Sequence, residues 1–355
     1  MGGAPQCRFE PLRLPCHEPH GATMRRREFI KLLGGAATAW PLAARAQQPN
    51  RVRQIGVLLG YRESDHDAQS WVSAFKQELG KLGWAEGSNI HVDVRWATAD
   101  VLVQSVERGA KELVALQPDL ILTVSTPATA AMVQQTRTIP IVFVLVGDPV
   151  GSGFVESLSR PGGNLTGFTN NQSPLIGKWM ELLKEIAPTV TRVAMLFNPP
   201  TASFVAYYLN PFKAAAESFG MEAIVAPVDG ESELESVVAT QARQPNSGLI
   251  VLPDAFMGSH RAEIAMLAVR YRIPAIYSFT YFAEAGGLIS YGVNPLGEFQ
   301  RAASYGDRIL KGAKPSELPV QAPDKFKLVI NLKSAKALGL DVPLFLRQRA
   351  DDVIE

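Results

Sequence analysis

The chain has 355 residues, a formal net charge of +1, 46% hydrophobic residues and two cysteines. A charge this close to zero leaves no electrostatic footprint for nucleic acid or an anionic membrane surface. The length and apolar content fit one large globular domain or two of roughly 120–180 residues each.

The first 46 residues read as a leader rather than as fold. Met24 opens Arg25-Arg26-Arg27-Glu28-Phe29-Ile30-Lys31, an apolar run follows over 32–42, and Ala44-Arg45-Ala46 closes it. That is a charged region, a short apolar region and an A-x-A cleavage site. The pair Arg26-Arg27 is of the twin-arginine export type, so the expected location is the periplasm, with cleavage near Ala46. Residues 1–23 read as an upstream extension and Met24 as the expected start. Cleavage removes seven Lys/Arg and three Asp/Glu and leaves 309 residues with a net charge of −3. Cys7 and Cys16 are removed as well. The expected mature chain from Gln47 therefore has no disulfide, thiol nucleophile or lipid-attachment cysteine.

From there the pattern alternates. A strand over 53–60 enters a charged loop, 61–67. A helix over 68–82 carries Trp71, Phe75, Leu79 and Leu82 on one face. Asp67 or Ser64 can cap it, and Gly83 ends it. A strand over 89–96, a helix over 99–116 and the turn Gln117-Pro118-Asp119 lead to a strand over 120–124. A helix over 128–135 and Ile139-Pro140 then precede a continuous apolar, β-branched run, 141–146. Such a run is a strand buried on both faces of a parallel sheet. It ends at Gly147-Asp148-Pro149, followed by a short helix-like piece over 153–158. Arg160-Pro161-Gly162-Gly163-Asn164 is expected to carry the chain into a second lobe, which opens with a strand over 165–169.

The alternation then repeats, with helices over 175–186, 204–219, 231–243 and 261–271 between strands over 192–197, 221–226, 248–252 and 275–277. Gln244-Pro245-Asn246 matches Gln117-Pro118-Asp119, and Ile273-Pro274 matches Ile139-Pro140. The predicted fold is α/β, two similar doubly wound parallel-sheet lobes joined by a multi-crossing hinge. A tail adds a strand over 288–291, a helix over 296–311, a Pro-rich segment and a strand over 326–331. Lobe 1 is expected to hold 51–163 and about 292–318, and lobe 2 to hold 164–291 and about 319–355.

The chemistry motifs are mostly absent. There is no G-x-x-x-x-G-K-[ST] and no G-x-S-x-G, and Gly151-Ser152-Gly153 lacks the third glycine of a dinucleotide fingerprint. His66, His91 and His260 are scattered, and Asp65-His66-Asp67 reads as a capped, solvated loop rather than a metal site. No carboxylate dyad stands out. No catalytic residue, cofactor or metal is expected. An enzyme with an interlobe active site is the alternative. The effector half of a transcription regulator would need a DNA-binding helix-turn-helix where the leader stands.

In open α/β sheets, ligands bind just beyond the strand C-termini. That rule selects Gly60-Tyr61, Ser125-Thr126-Pro127, Gly147-Asp148-Pro149, Thr169-Asn170, Asn198-Pro199, Pro253-Asp254 and Tyr277-Ser278-Phe279. The ligand-binding candidates are Tyr61, Ser125, Thr126, Asp148, Thr169, Asn198, Asp254, Tyr277 and Phe279.

At these residues the chain resembles the type I periplasmic substrate-binding proteins of ABC transporters, the family that includes the tryptophan/tyrosine-type binding component. Ser125-Thr126-Pro127-Ala128 and the stretches IPIVFVLVGDPVGSG, RPGGNLTG, EAGGLISYG and KFKLVINLKSAKALGL carry the likeness. The resemblance implies a bilobed trap for a small solute, an aromatic or branched amino acid among the expected ligands. It also implies an inner-membrane ABC permease as partner and a monomer in solution. Loop 61–67 is charged where the resemblance leads one to expect small residues. For an amino-acid ligand, the Ser125 and Thr126 hydroxyls and the opening N–H groups of the following helix suit the carboxylate. Asp148 or Asp254 suits the ammonium, and Tyr277, Phe279 and Tyr61 the side chain.

Overall fold

The computed structural model describes residues 1–2, 51–97, 102–170 and 173–355. The expected leader from Met24 and its expected cleavage site lie outside the described residues. Contacts divide the chain into Met1–Arg51 and Val52–Glu355, and the second unit carries the fold.

The first sheet holds β1 (Arg53–Leu59), β2 (Ile90–Trp96), β3 (Leu120–Val124), β4 (Ile141–Val146) and β5 (Leu165–Thr169) in the order β2-β1-β3-β4-β5. All of its pairings are parallel. Between the strands run α1 (His66–Lys81), α2 (Leu102–Ala115) and α3 (Thr126–Gln135). β4 is buried along its whole length, as its unbroken β-branched run requires.

The second sheet repeats the pattern. Its strands are β6 (Arg192–Phe197), β7 (Glu222–Pro227), β8 (Ser247–Val251), β9 (Ala275–Phe279), β10 (Ile289–Val293), β11 (Lys327–Asn331) and β12 (Asp352–Ile354). They lie in the order β12-β11-β10-β9-β8-β6-β7, so β7-β6-β8-β9-β10 reproduces the winding of the first sheet. Among the described residues, only β10 and β11 pair antiparallel. The helices around it are α4 (Ile176–Ile186), α5 (Ala206–Ser218), α6 (Glu231–Ala242), α7 (Ala255–Ser259), α8 (Arg261–Arg270) and α9 (Thr280–Glu284).

The matched turns do matched work. Gln117 and Asn246 both adopt positive φ, 51° and 55°. Asp119 then accepts from Gln54 N and Arg53, and the Asn246 carbonyl accepts from Thr191 N and Arg192 N, so each turn ties the start of one strand to its neighbour.

Two expectations differ from the structure. Residues 153–158 form turns and bends, not a helical piece. And β5 does not open the second lobe; it pairs with β4 as the edge of the first sheet. The Pro161-Gly162-Gly163 turn folds the chain back instead of leading it out. Ile141 N donates to Asn164 O, and Asn164 Nδ2 donates to Ile139 O at 2.7 Å. Gly167 lies so close to the Phe143 backbone that any side chain there would collide with it. The sheets therefore change at residues 170–175, not at the glycine pair.

The chain returns twice. After β10, α10 (Pro295–Leu310) packs on α1 and against β4 and β5 of the first sheet. Gln321 then bonds alongside β5, to Gly167 O and Thr169 N, before β11 joins the second sheet. A last pair, α11 (Leu332–Leu338) and α12 (Leu344–Arg349), leads to β12.

Candidate functional site

The C-terminal ends of β3, β4 and β5 lie side by side. Beyond β3, Ser125 adopts φ 94° and ψ 159°, an uncommon conformation for a residue with a side chain. Its Oγ is buried and has no hydrogen-bond partner. Gly60 at the end of β1 abuts this hydroxyl so closely that a Cβ would collide with it. Beyond β4, Gly147 N donates to Thr126 Oγ1 at 3.2 Å. Beyond β5, Thr169 Oγ1 donates to Val146 O at 2.7 Å, which leaves Asn170 next in line. Asn170 is 2% exposed, and neither atom of its side-chain amide has a partner. A buried amide and a buried hydroxyl without partners are costly unless something fills the place.

The second lobe closes over this edge. Phe204 lies against Gly147: a Cβ there would sit 2.6 Å from the Phe204 ring. Phe204 is 4% exposed and packs on Tyr208, with ring centroids 5.6 Å apart. Beside it, an aromatic cluster bridges the lobes. Trp71 of α1 meets Tyr61 edge-on at 5.2 Å, Phe299 of α10 at 5.6 Å and Tyr281 of α9 at 5.7 Å. Tyr281 in turn stacks on Phe279 at 5.1 Å. The hydroxyls of Tyr61 and Tyr281 meet over Gly258, where there is no room for a side chain.

An ion cluster seals the rim. Arg261 on α8 forks onto Asp65 at 2.6 and 2.9 Å and reaches Asp67 at 2.7 Å. The Asp65 side chain is 8% exposed and that of Arg261 15%. The guanidinium also lies over the Tyr281 ring, 5.3 Å from its centre. Asp65 caps α1 through the N–H groups of Asp67 and Ala68. The charged loop 61–67 thus faces the opposite lobe.

Of the remaining candidates, Asp148, Asn198 and Asp254 follow the ends of β4, β6 and β8 as the strand-end rule expects, and Tyr277 does not. Tyr277 lies two residues inside β9, stacked on Phe282 at 4.8 Å in the core of the second lobe. Burial pushes its phenol pKa well up. Asp148 is half-buried and holds its own turn, accepting from Gly151 N at 2.8 Å. Asn198 spends its amide on Val228 O and Thr201. Asp254 accepts from Asn198 N, Thr201 Oγ1 and Met257 N at 2.9–3.1 Å. It locks the loop after β6 to the start of α7. Trp71, Tyr281 and Phe299 were not among the sequence candidates. The helical spacing puts Trp71 on the core face of α1, and that core continues across the lobes.

Burial pushes the Asp254 carboxyl up to about 6, against the hydrogen bonds that lower it. The folded protein then holds this proton more tightly than the unfolded chain, whose value is near 3.8. The resulting stability is complete below about pH 4 and is lost as pH rises through about 6, by at most about 3 kcal/mol. Urea unfolding at pH 4.5 and 7.5 should show wild type gaining stability relative to Asp254→Asn at the lower pH. An equal difference at both values would contradict the assignment.

The fold, two doubly wound sheets facing each other across their strand C-termini, matches known proteins. The family model described as ABC transporter substrate binding protein matches residues 64–354. The chain belongs to that family. Such a substrate-binding protein serves an ABC system by capturing a small solute for a membrane permease. Among the described residues, no helix is long and apolar enough to cross a membrane. The chain is 27% identical over 267 residues to the tyrosine-binding protein of Clostridioides difficile, covering 75% of each chain. It is similar to a Streptococcus pneumonia ABC domain in complex with L-Trp, with TM-score 0.77, 26% identity and 85% and 99% of the two chains covered. It is also similar to the ligand-free, open structure of a Clostridium difficile substrate-binding protein with adhesive properties, with TM-score 0.63, 25% identity and 85% and 99% covered.

Proposed function

We propose that this ABC substrate-binding protein captures a free aromatic L-amino acid between its lobes. The observation that carries the reading is the pair of unpartnered buried groups, Ser125 Oγ and the Asn170 amide, on either side of Gly147. Ser125 presents a hydroxyl at the opening of α3, whose N-terminus favours a carboxylate, and Asn170 presents an amide donor and acceptor beyond β5. Phe204, Tyr61 and Phe279 supply apolar surface for a ring. The tyrosine- and L-Trp-binding relatives support that side-chain class. Thr126 and Thr169 hold Gly147 and Val146 in place for these groups, and Asp254 and Asn198 hold the opposing loop.

In this reading the protein works without catalysis, as a monomer, in the periplasm after a twin-arginine-type leader is removed near Ala46. The sheet memberships support lobe 1 as residues 52–170 with about 294–321, and lobe 2 as the remainder up to residue 355.

A thermal-shift screen of the twenty amino acids and a panel of sugars and organic acids tests the ligand class. A ligand at a hundred times its Kd stabilises by about 2.7 kcal/mol. L-Trp or L-Tyr should raise the melting temperature most, and Ser125→Ala and Asn170→Ala should remove that shift. A shift with a sugar or dicarboxylate and none with aromatic amino acids would overturn the reading.

A further inference from the structure

Away from the cleft edge, His260 stands between α7 and α8 with one ring nitrogen committed and the other idle. Nδ1 lies 2.9 Å from Phe256 O. A carbonyl only accepts, so Nδ1 carries the proton and Nε2 of the neutral ring presents a lone pair. Nε2 is buried and has no hydrogen-bond partner, and the residue is 6% exposed. The Phe256 ring, with its centroid 4.1 Å away, fixes the imidazole plane. The lone pair faces carboxylates from two helix starts. Glu231 opens α6 and Glu263 lies in the first turn of α8. One ligand atom from each of Glu231, His260 and Glu263 lies within 4.8 Å of the others. Nε2 and Glu231 Oε2 are 3.6 Å apart, too far for a hydrogen bond.

We propose that Glu231, His260 and Glu263 form a binding site for a first-row divalent cation of the zinc class. Zinc takes imidazole and carboxylate at about 2.0–2.2 Å in a tetrahedron, which places ligand atoms about 3.4 Å apart. His260 and Glu231 already stand at 3.6 Å, and the partly exposed Glu263 has an oxygen within 4.8 Å of both. An imidazole with two carboxylates suits zinc, cobalt or nickel; magnesium and calcium call for oxygen alone. The Nδ1–carbonyl bond is the outer contact that orients a metal-binding histidine. The Glu231 side chain is 54% exposed, which leaves a coordination position for water. Arg62 Nη2 lies 4.0 Å from Glu231 Oε2 and is the cation the metal would displace. The sequence hides this set, because residues 231 and 260 are distant in the chain and belong to different helices.

The test uses the untagged full chain, stripped with a chelator and titrated with ZnCl2 by calorimetry and with CoCl2 by visible absorption. Saturable zinc binding and a cobalt spectrum of nitrogen and oxygen ligation are expected. His260→Ala and Glu263→Gln should each weaken zinc binding at least about tenfold and bleach that spectrum. Glu263→Gln changes a partly exposed side chain and carries the test if His260→Ala fails to fold. Binding unchanged in both variants would assign the metal to Cys7, Cys16, His17, His20 or the exposed histidines His66 and His91, and would overturn the proposal. Absence of saturable binding in the wild type would do the same.

Discussion

Replacing Gly147 by valine is expected to abolish tight solute capture while leaving each lobe folded. Gly147 ends β4, and the Phe204 ring of the opposite lobe rests where its side chain would be, 2.6–2.9 Å from an ideal Cβ. Phe204 is buried and held by Tyr208, so it has nowhere to retreat. The collision exists only when the lobes are closed. Overpacking of this kind costs about 1–3 kcal/mol, and here the whole cost falls on the closed state. Ligand affinity by calorimetry should therefore fall about tenfold to hundredfold. Scattering at saturating wild-type ligand should show the open radius of gyration. Gly147→Val combined with Phe204→Ala should recover part of the loss. Wild-type affinity in the single variant would show that closure does not bring Phe204 onto Gly147.

Arg261→Met should weaken binding through faster release. The guanidinium is shared by Asp65 and Asp67 across the rim, and Asp65 is nearly buried when the lobes meet. Removing one partner of a buried pair costs about 3–5 kcal/mol, because the remaining charge is left without compensation. In the open protein Asp65 regains water, so the loss appears as a closing penalty and not as unfolding. Stopped-flow release should be accelerated at least about tenfold. The ligand-free protein should keep its unfolding free energy within about 0.5 kcal/mol. Asp65→Asn is the less clean test, because that carboxylate also caps α1 at a further cost of about 1 kcal/mol. An unchanged release rate would reduce the cluster to surface decoration. The charge in loop 61–67 thus gains a structural reason: it is what Arg261 closes upon.

Much of the proposed site was legible, because ligands of open parallel sheets bind beyond the strand C-termini. The strand-end rule reached Ser125, Gly147 and the pair Thr169-Asn170, all of which converge on one edge. It could not tell a free side chain from a committed one. Asp148, Asn198 and Asp254 have the residue types of ligand contacts, and each also has partners within its own lobe that the sequence does not reveal. Thr169 and Asn170 are adjacent in sequence, but only the second is left without a partner.

The sequence by itself determined the local and periodic part of this protein. The β-branched run at 141–146, the helical stripe Trp71-Phe75-Leu79 and the repeated proline turns specify parallel strands, amphipathic helices and two windings of one pattern. These depend on neighbours within a few residues, or on spacing that recurs. The tertiary structure alone decided everything that joins distant residues. It put β5 on the first sheet, because the glycine turn folds back and Gly167 lets its strand lie against Phe143. It buried Tyr277 beside Phe282 by extending β9 to Phe279. It set Arg261 on Asp65 across 196 positions of sequence, and His260 beside Glu231. Such pairings depend on how two lobes meet, and no local propensity encodes that.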